Sequence, residues 1–247
     1  QALQKLTNKT ELIVFENEFI DCELLSKFKN IKFVPSLDVL RQMQNKLRQK
    51  ETLTRLSIPT SRYLTLSSNL ISNLAHWLKG VRVEFNGCCV LKWAEFGYDG
   101  KGIFFLKKNT PIRRAISFCK QALSRGIDVY AEEHVSFVHE LSLVTCYSTR
   151  REFIHYPLVI SEQENGICLR IKGPASALGI PDQVQTQACE YARKLGQNLS
   201  LFGTFAIEFF YTNNGRLLVN EIAPRVHNSG HFSLDASDTS QFENHWR

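Results

Sequence analysis

The sequence predicts an α+β fold, and three observations carry the prediction. The first sixty residues alternate short apolar runs with helical stretches, as in "ELIVFENE", "DCELLSKF" and "IKFV". From residue 128 onward, β-branched and aromatic runs follow one another with a single helical interval. Near the end, "GTFAIEFFYTNNGRLLV" reads as a hairpin, two apolar runs joined across an Asn-Gly pair. Successive β-runs of this kind build an antiparallel sheet with helices on one side.

In chain order, residues 11–18 read as a short strand ending in charge, "DCELLSKF" as a helix and "IKFV" as a second strand. Ser36 suits the N-cap of one long helix over 36–56, because its hydroxyl can accept from an N–H of the first turn. "LSIPTSRY" (56–63) breaks the pattern with a proline and small polar residues, so a boundary falls there. A helix near 69–79 precedes the strand "CCVLKW" (88–93), the turn "GYDGKG" (97–102) and the strand "IFFLKK". A helix over 111–125 then opens at Pro111, whose missing N–H would have had no helical partner at the first position. "DVYAEEHV", "ELSLVTCYST", "FIHYPLVI" and "GICLRIKG" read as strands and 183–199 as a helix, after which the hairpin closes the pattern.

The chain has 247 residues, 43% hydrophobic and 22% charged, an ordinary globular composition that supports one large core or two smaller ones. No apolar run reaches the ~18 residues that span a bilayer, and the start "QALQKLTNKTE" lacks an apolar signal region, so a cytoplasmic protein without a membrane partner is expected. Seven cysteines are an odd number without a C-x-x-C pair, and several sit in apolar runs, which reads as reduced core residues rather than a disulfide frame or zinc site. The net charge of +6 is dispersed along the chain, which favours small anions over nucleic acid as partners. The basic strip "RQMQNKLRQK" (41–50) reads as the solvated face of a helix.

Counting outward from Asn214 and Gly215 as the two central turn residues places Glu208 opposite Glu221 on one face, together with Ala206, Phe210, Leu217 and Val219. Cross-strand partners have Cβ atoms about 4.5–5.5 Å apart, and like charges there repel, the more so on an apolar face. A hard divalent cation such as Mg²⁺, held by carboxylates and substrate phosphates, resolves the conflict. A protonated glutamate, or pairing with an arginine such as Arg225, remains the alternative.

Three glycines in "GYDGKG" allow backbone N–H groups to approach phosphate oxygens, and Lys101 adds a charge within the turn, although most Gly-x-x-Gly stretches are simple hairpin turns. Lys92 alternates out of an apolar run and needs an anion, for which phosphate is a natural partner. In "YAEEHVSFVHELSL", Glu132 or Glu133 and Glu140 suit the amino group and diol of a nucleoside, with solvated surface glutamates as the plain alternative. His227 and His231 have the i, i+4 spacing of a helical metal pair, but Asn228, Ser229 and Gly230 between them are turn formers and disfavour it.

The order and spacing of "LK", "GYDGKG", "EE-V-----ELS", "EFF-T--GRLLVNEIAPR-HNSGH" and "SQFE-H-R" resemble carboxyaminoimidazole ribonucleotide synthases, ATP-grasp enzymes of purine biosynthesis. The resemblance runs from about residue 11 to the end. It implies an ATP-grasp fold, with a remnant of an N-terminal α/β domain (1–57), a lid subdomain (58–137) and a sheet subdomain (138–247). It implies ATP and Mg²⁺ as cofactors, with carboxyphosphate made from ATP and bicarbonate and then used to carboxylate aminoimidazole ribonucleotide. By matched position, Lys46, Lys92 and the turn of Gly97, Tyr98, Asp99, Gly100, Lys101, Gly102 and Ile103 would hold phosphates. Glu132, Glu133, His134 and Val135 would form the adenine hinge, Glu140 the ribose ligand, and Gln163 and Asn220 further nucleotide contacts. Glu208 and Glu221 would hold the metal. Arg225 and Lys101 would stabilise the transferred phosphoryl charge, and Arg225 with His227, Asn228, Ser229 and Gly230 would line the substrate pocket.

The sequence also departs from the family pattern. Lys46 stands for an arginine, which keeps the charge and loses the bidentate fork. Trp93, Ala94, Glu95 and Phe96 replace basic and glycine residues, Ile103 replaces a glutamine, Gln163 a histidine, and "FENEFID" the usual "EFENVP". Family chains also extend further at both ends, by on the order of a hundred residues at the C-terminus. A ligase for another acid and amine, and a nucleotide-binding relative without turnover, stay open as alternatives, as does a homodimer.

Overall fold

The computed structural model describes residues 2–66, 68–97, 101–164 and 167–247. At the N-terminus, α1 (Ala2–Thr7), β1 (Leu12–Val14), α2 (Cys22–Leu25) and β2 (Lys32–Val34) surround a small parallel pair, β1 with β2. Asp21 caps α2 by accepting from the N–H groups of Glu23 and Leu24, and Phe15, Cys22, Leu25 and Leu40 close a local core.

The single helix expected over 36–56 is two helices, α3 (Leu37–Met43) and α4 (Lys46–Arg55). Ser36 caps α3 as expected, and Asn45 caps α4 by accepting from the Arg48 N–H. An asparagine side chain that competes for backbone N–H groups starts a new helix where the apolar period shows no break.

Next come β3 (Tyr63–Thr65), α5 (Leu74–Glu84), β4 (Cys89–Trp93), β5 (Ile103–Leu106), α6 (Ile112–Leu123) and β6 (Val129–Glu133). Their strands form an antiparallel sheet in the order β3-β6-β4-β5. Leu78 of α5 and Ala115 and Cys119 of α6 pack on Leu91, Leu106 and Ala131 of the sheet. Pro111 is the N-cap of α6 and not its first helical residue.

The larger sheet uses β7 (His139–Tyr147), β8 (Phe153–His155), β9 (Val159–Glu164) and β10 (Ile167–Lys172). After α7 (Asp182–Leu199) come β11 (Gly203–Tyr211), β12 (Leu217–Ala223) and α8 (Gln241–Trp246). The order is β10-β9-β7-β11-β12, antiparallel, with β8 also on β7. "FIHYPLVI" divides into β8 and β9 around Pro157, which has no N–H for a ladder.

The face of this sheet that packs on α7 is apolar: Val184, Ala188 and Leu195 meet Leu143, Phe205, Ile207 and Phe209. Period-two alternation therefore sends Glu140, Ser142, Glu208 and Phe210 to the opposite face. All seven cysteines are free, but only Cys22, Cys89, Cys119 and Cys146 are buried; Cys88 is exposed, and Cys168 and Cys189 are half-buried. No described helix is long and apolar enough to cross a membrane.

Candidate functional site

The β11–β12 hairpin places Glu208 opposite Glu221, as counted from the sequence, but by a different route. The loop is three residues, Asn213, Asn214 and Gly215. The Thr212 N–H donates to the Arg216 carbonyl at 3.0 Å, and Gly215 takes φ +77°, which glycine adopts without strain. A β-bulge then restores the count: Phe209 pairs with Val219 and Glu208 with Glu221, so Asn220 is the extra residue. Leu217 and Val219 consequently lie in the α7-side core, not beside the glutamates as expected. Asn220 turns toward the site instead, where its Oδ1 accepts from Lys92 Nζ at 3.5 Å.

A cation already sits at the carboxylate pair. Lys46 Nζ is 2.5 Å from Glu221 Oε2, whereas Arg225, the partner offered by the sequence reading, forks instead onto Glu18. Burial works to raise the Glu221 carboxyl, but Lys46 holds it below its ordinary value. Among the described residues Glu208 has no cation so close; burial, and then Glu221, push it up to about 7. One carboxylate of the pair is therefore undercompensated, which suits an additional hard cation. Among the described residues no group of three or more His, Cys, Asp or Glu forms a metal cluster, so the protein offers two carboxylates and leaves room for other oxygen ligands. That donor set fits Mg²⁺, which is held by one or two carboxylates plus phosphates.

The basic strip 41–50 is not simply a solvated face. Lys46, Gln49 and Lys50, spaced three and four apart, turn inward with Leu53. Gln49 docks α4 on β12: its Oε1 accepts from the Ile222 N–H at 2.8 Å, and its Nε2 donates to the Ile222 carbonyl at 2.9 Å. Lys50 Nζ donates to Thr60 Oγ1 at 2.7 Å and Ser61 Oγ at 2.6 Å, with Glu132 Oε2 at 3.3 Å. Glu132 Oε1 is 3.1 Å from Lys92 Nζ. Burial would raise Glu132, but Lys92 and then Lys50 hold it at about 2, while burial brings Lys50 down to about 8 against the pull of Glu132. Glu132 is thus a buried carboxylate between two lysines, not a surface glutamate, and Lys92 has a protein anion as partner. Glu133 does point outward, with Oε2 2.9 Å from Arg62 Nε.

Two compartments meet at Lys92, Ile103, Ser161, Gln163 and Asn220. One is a cleft of about 750 Å³ between the two sheets. Val90, Phe105, Phe137 and Phe210 give it an apolar lining, Phe137 and Phe210 stacking at 4.8 Å, and residues Glu132 to Val135 and Glu140 form its edge. The other is a polar compartment of about 230 Å³ that gathers Lys46, Gly97, Glu208, Glu221, Arg225, His227, Asn228 and Ser229.

Gly97 and Gly102 close the turn above it. A Cβ on Gly102, at φ +71°, would lie 3.2 Å from both Gly97 Cα and the Trp93 side chain, and the Trp93 N–H donates to the Gly102 carbonyl at 2.9 Å. Tyr98, Asp99 and Gly100 lie outside the described residues. Lys101 is exposed on the turn.

His227 faces the pair from the far side, its Nε2 3.5 Å from Glu208 Oε1 and its Nδ1 2.8 Å from Ser229 Oγ, which meets Ser142 Oγ at 2.7 Å. Burial, and then Arg225, lower this imidazole to about 4, so it is neutral near pH 7. Gln241 fixes the loop by accepting from the His227 N–H at 2.9 Å and donating to its carbonyl at 2.8 Å. His231 is exposed, packed on the Phe242 ring, and does not join His227 in a metal site. Sequence reasoning missed Gln49, Lys50, Ser142, Glu18 and Gln241. For Gln49 and Lys50 the signal was present, since both share a helical face with apolar Leu53.

With this geometry in place, the chain can be set beside known proteins. A family model described as the ATP-grasp domain matches residues 51–242. The N5-carboxyaminoimidazole ribonucleotide synthase of Synechococcus elongatus is 35% identical over 250 residues, covering 100% of this chain and 59% of its own; that of Bacillus subtilis is 33% identical and is covered to 62%. An ADP complex of an N5-carboxyaminoimidazole ribonucleotide synthetase aligns with TM-score 0.88 at 30% identity, covering 100% of this chain and 62% of the other. The Aspergillus clavatus N5-carboxyaminoimidazole synthase, bound to ADP and 5-aminoimidazole ribonucleotide, aligns with TM-score 0.85 at 28% identity, covering 100% and 61%. The chain spans about three fifths of the length of these relatives.

Proposed function

The chain belongs to the ATP-grasp family and has its fold, and from that premise we propose that it carboxylates aminoimidazole ribonucleotide with ATP and bicarbonate, through carboxyphosphate, in purine biosynthesis. The observation that carries this reading is the junction at Lys92 and Asn220 of an apolar cleft with a compartment holding a carboxylate pair and three basic side chains, Lys46, Lys92 and Arg225. A nucleotide has the same two ends, a flat base and a polyanion with its cation.

In this proposal residues 58–137 are the lid and 138–247 the sheet subdomain, with 1–57 a remnant of an N-terminal domain. The adenine lies against Phe137 and Phe210, with backbone groups of Glu132 to Val135 at its edge and Glu140 at the ribose. Lys92 and the Gly97–Ile103 turn hold the phosphates. Glu208 and Glu221, with Asn220 beside them, hold Mg²⁺, which would neutralise charge on phosphate oxygens. Neutral His227 leaves Glu208 free to serve that cation, while Ser229 fixes the imidazole orientation. Arg225, preoriented by Glu18, presents charge to the transferred group; a fixed cation of this kind favours phosphoryl transfer because it need not reorganise as charge develops. A cytoplasmic location belongs to the same proposal.

Phosphate release from ATP, measured with bicarbonate and a panel of amines, tests the reading. Release stimulated by aminoimidazole ribonucleotide supports it. Stimulation by another amine, and none by this one, overturns the substrate assignment.

A further inference from the structure

α4 is a wall that both sheets share. Its first residue is tied to the end of β4, the Lys46 N–H donating to the Ala94 carbonyl at 2.7 Å, and Gln49 holds β12 one turn later. Directly after Gln49, Lys50 is buried, its ammonium surrounded by Thr60 Oγ1, Ser61 Oγ and the Glu132 carboxylate. A buried ammonium is costly to place, and removing one partner of such a group strands the other.

We propose that Lys50 is a positioning residue for the phosphate end of the site, acting through Glu132 on Lys92. The inference rests on the nucleotide reading of the cleft. Lys92 and Glu132 alone would be a neutral pair, with the Lys92 ammonium drawn wholly to its carboxylate. Lys50, 3.3 Å from one Glu132 oxygen while Lys92 is 3.1 Å from the other, gives the group a net charge of one positive unit. Glu132 is thereby shared, and Lys92, at the edge of both compartments, keeps attraction to spare for a phosphate.

The test compares Mg-ADP with adenosine by calorimetry, because adenosine presents the base and ribose without phosphates. Lys50→Met should weaken Mg-ADP about tenfold, equivalent to about 1.4 kcal/mol, and leave adenosine within about twofold. In a Lys92→Met background the same change should weaken Mg-ADP by no more than about twofold, since coupled residues are not additive. Should Lys50→Met fail to fold, Lys50→Gln, which loses the charge but keeps a hydrogen-bonding end toward Thr60 and Ser61, must show the same selective loss of Mg-ADP. Equal losses for adenosine and Mg-ADP, or full additivity with Lys92→Met, overturn the positioning role. Wild-type protein that prefers adenosine, or binds neither ligand, overturns the nucleotide reading itself before any substitution is made.

Discussion

At the scale of single residues, Glu208 gives the site a pH signature near neutrality. In the metal-free protein burial, and then Glu221, push its carboxyl from an ordinary 4.5 to about 7. The folded chain thus keeps a proton that the unfolded chain releases. This stabilisation is full below pH 4.5 and is lost as pH rises through about 7. His227 works in the opposite sense: burial and Arg225 depress it from 6.5 to about 4, so its contribution is present above 6.5 and lost as pH falls toward 4. Comparing wild type with Glu208→Gln cancels the histidine. In urea titrations without Mg²⁺, the stability of wild type relative to the variant should fall between pH 5 and 8, and a difference independent of pH would contradict the account. Gly230 supplies a second prediction. A Cβ there would lie 2.6 Å from Gln241 Oε1 and 3.0 Å from Val144 Cγ2, displacing the side chain that fixes His227. Gly230→Ala should cost about 1–3 kcal/mol in urea unfolding, the range for overpacking a tight site.

At the scale of elements, α4 and the hairpin decide the geometry of the carboxylate pair. Gln49→Leu would strand the N–H and carbonyl of Ile222, the neighbour of Glu221. The expected loss is about 2–4 kcal/mol in urea unfolding, because orphaned buried backbone groups bear their full desolvation penalty. A loss below about 1 kcal/mol would mean that β12 does not depend on α4. The same two elements show what the sequence conveys. Alternation along β11 and the Asn-Gly signal were enough to set Glu208 against Glu221. The three-residue loop and the bulge at Asn220 were not legible, because each alters the register by one and the two changes cancel at that pair. The face of α4 was misread for a related reason: basic residues in a helix signal solvent only when no buried carboxylate awaits them. Glu132 comes more than eighty residues later in the chain than Lys50, and local pattern cannot reveal such a pairing.

At the scale of the whole molecule, the two sheets and the wall between them converge on one cleft, and the central claim is that it holds a nucleotide with its cation. The α+β class and the antiparallel sheet followed from periodicity, and the candidate residues from the hairpin count and the resemblance; the strand order within each sheet and the partners Glu18 and Gln241 required the tertiary fold. Ligand binding to the folded state alone stabilises it by about 2.7 kcal/mol at a hundredfold excess over Kd. For a chain of this size, unfolding as one cooperative unit, that corresponds to about 5–11 °C in Tm. The direct test is the Tm of the chain with saturating Mg-ATP, with ATP plus chelator, and alone. The account predicts a rise of that size which requires Mg²⁺; an unchanged Tm at saturating Mg-ATP, in protein shown to be folded, would contradict it.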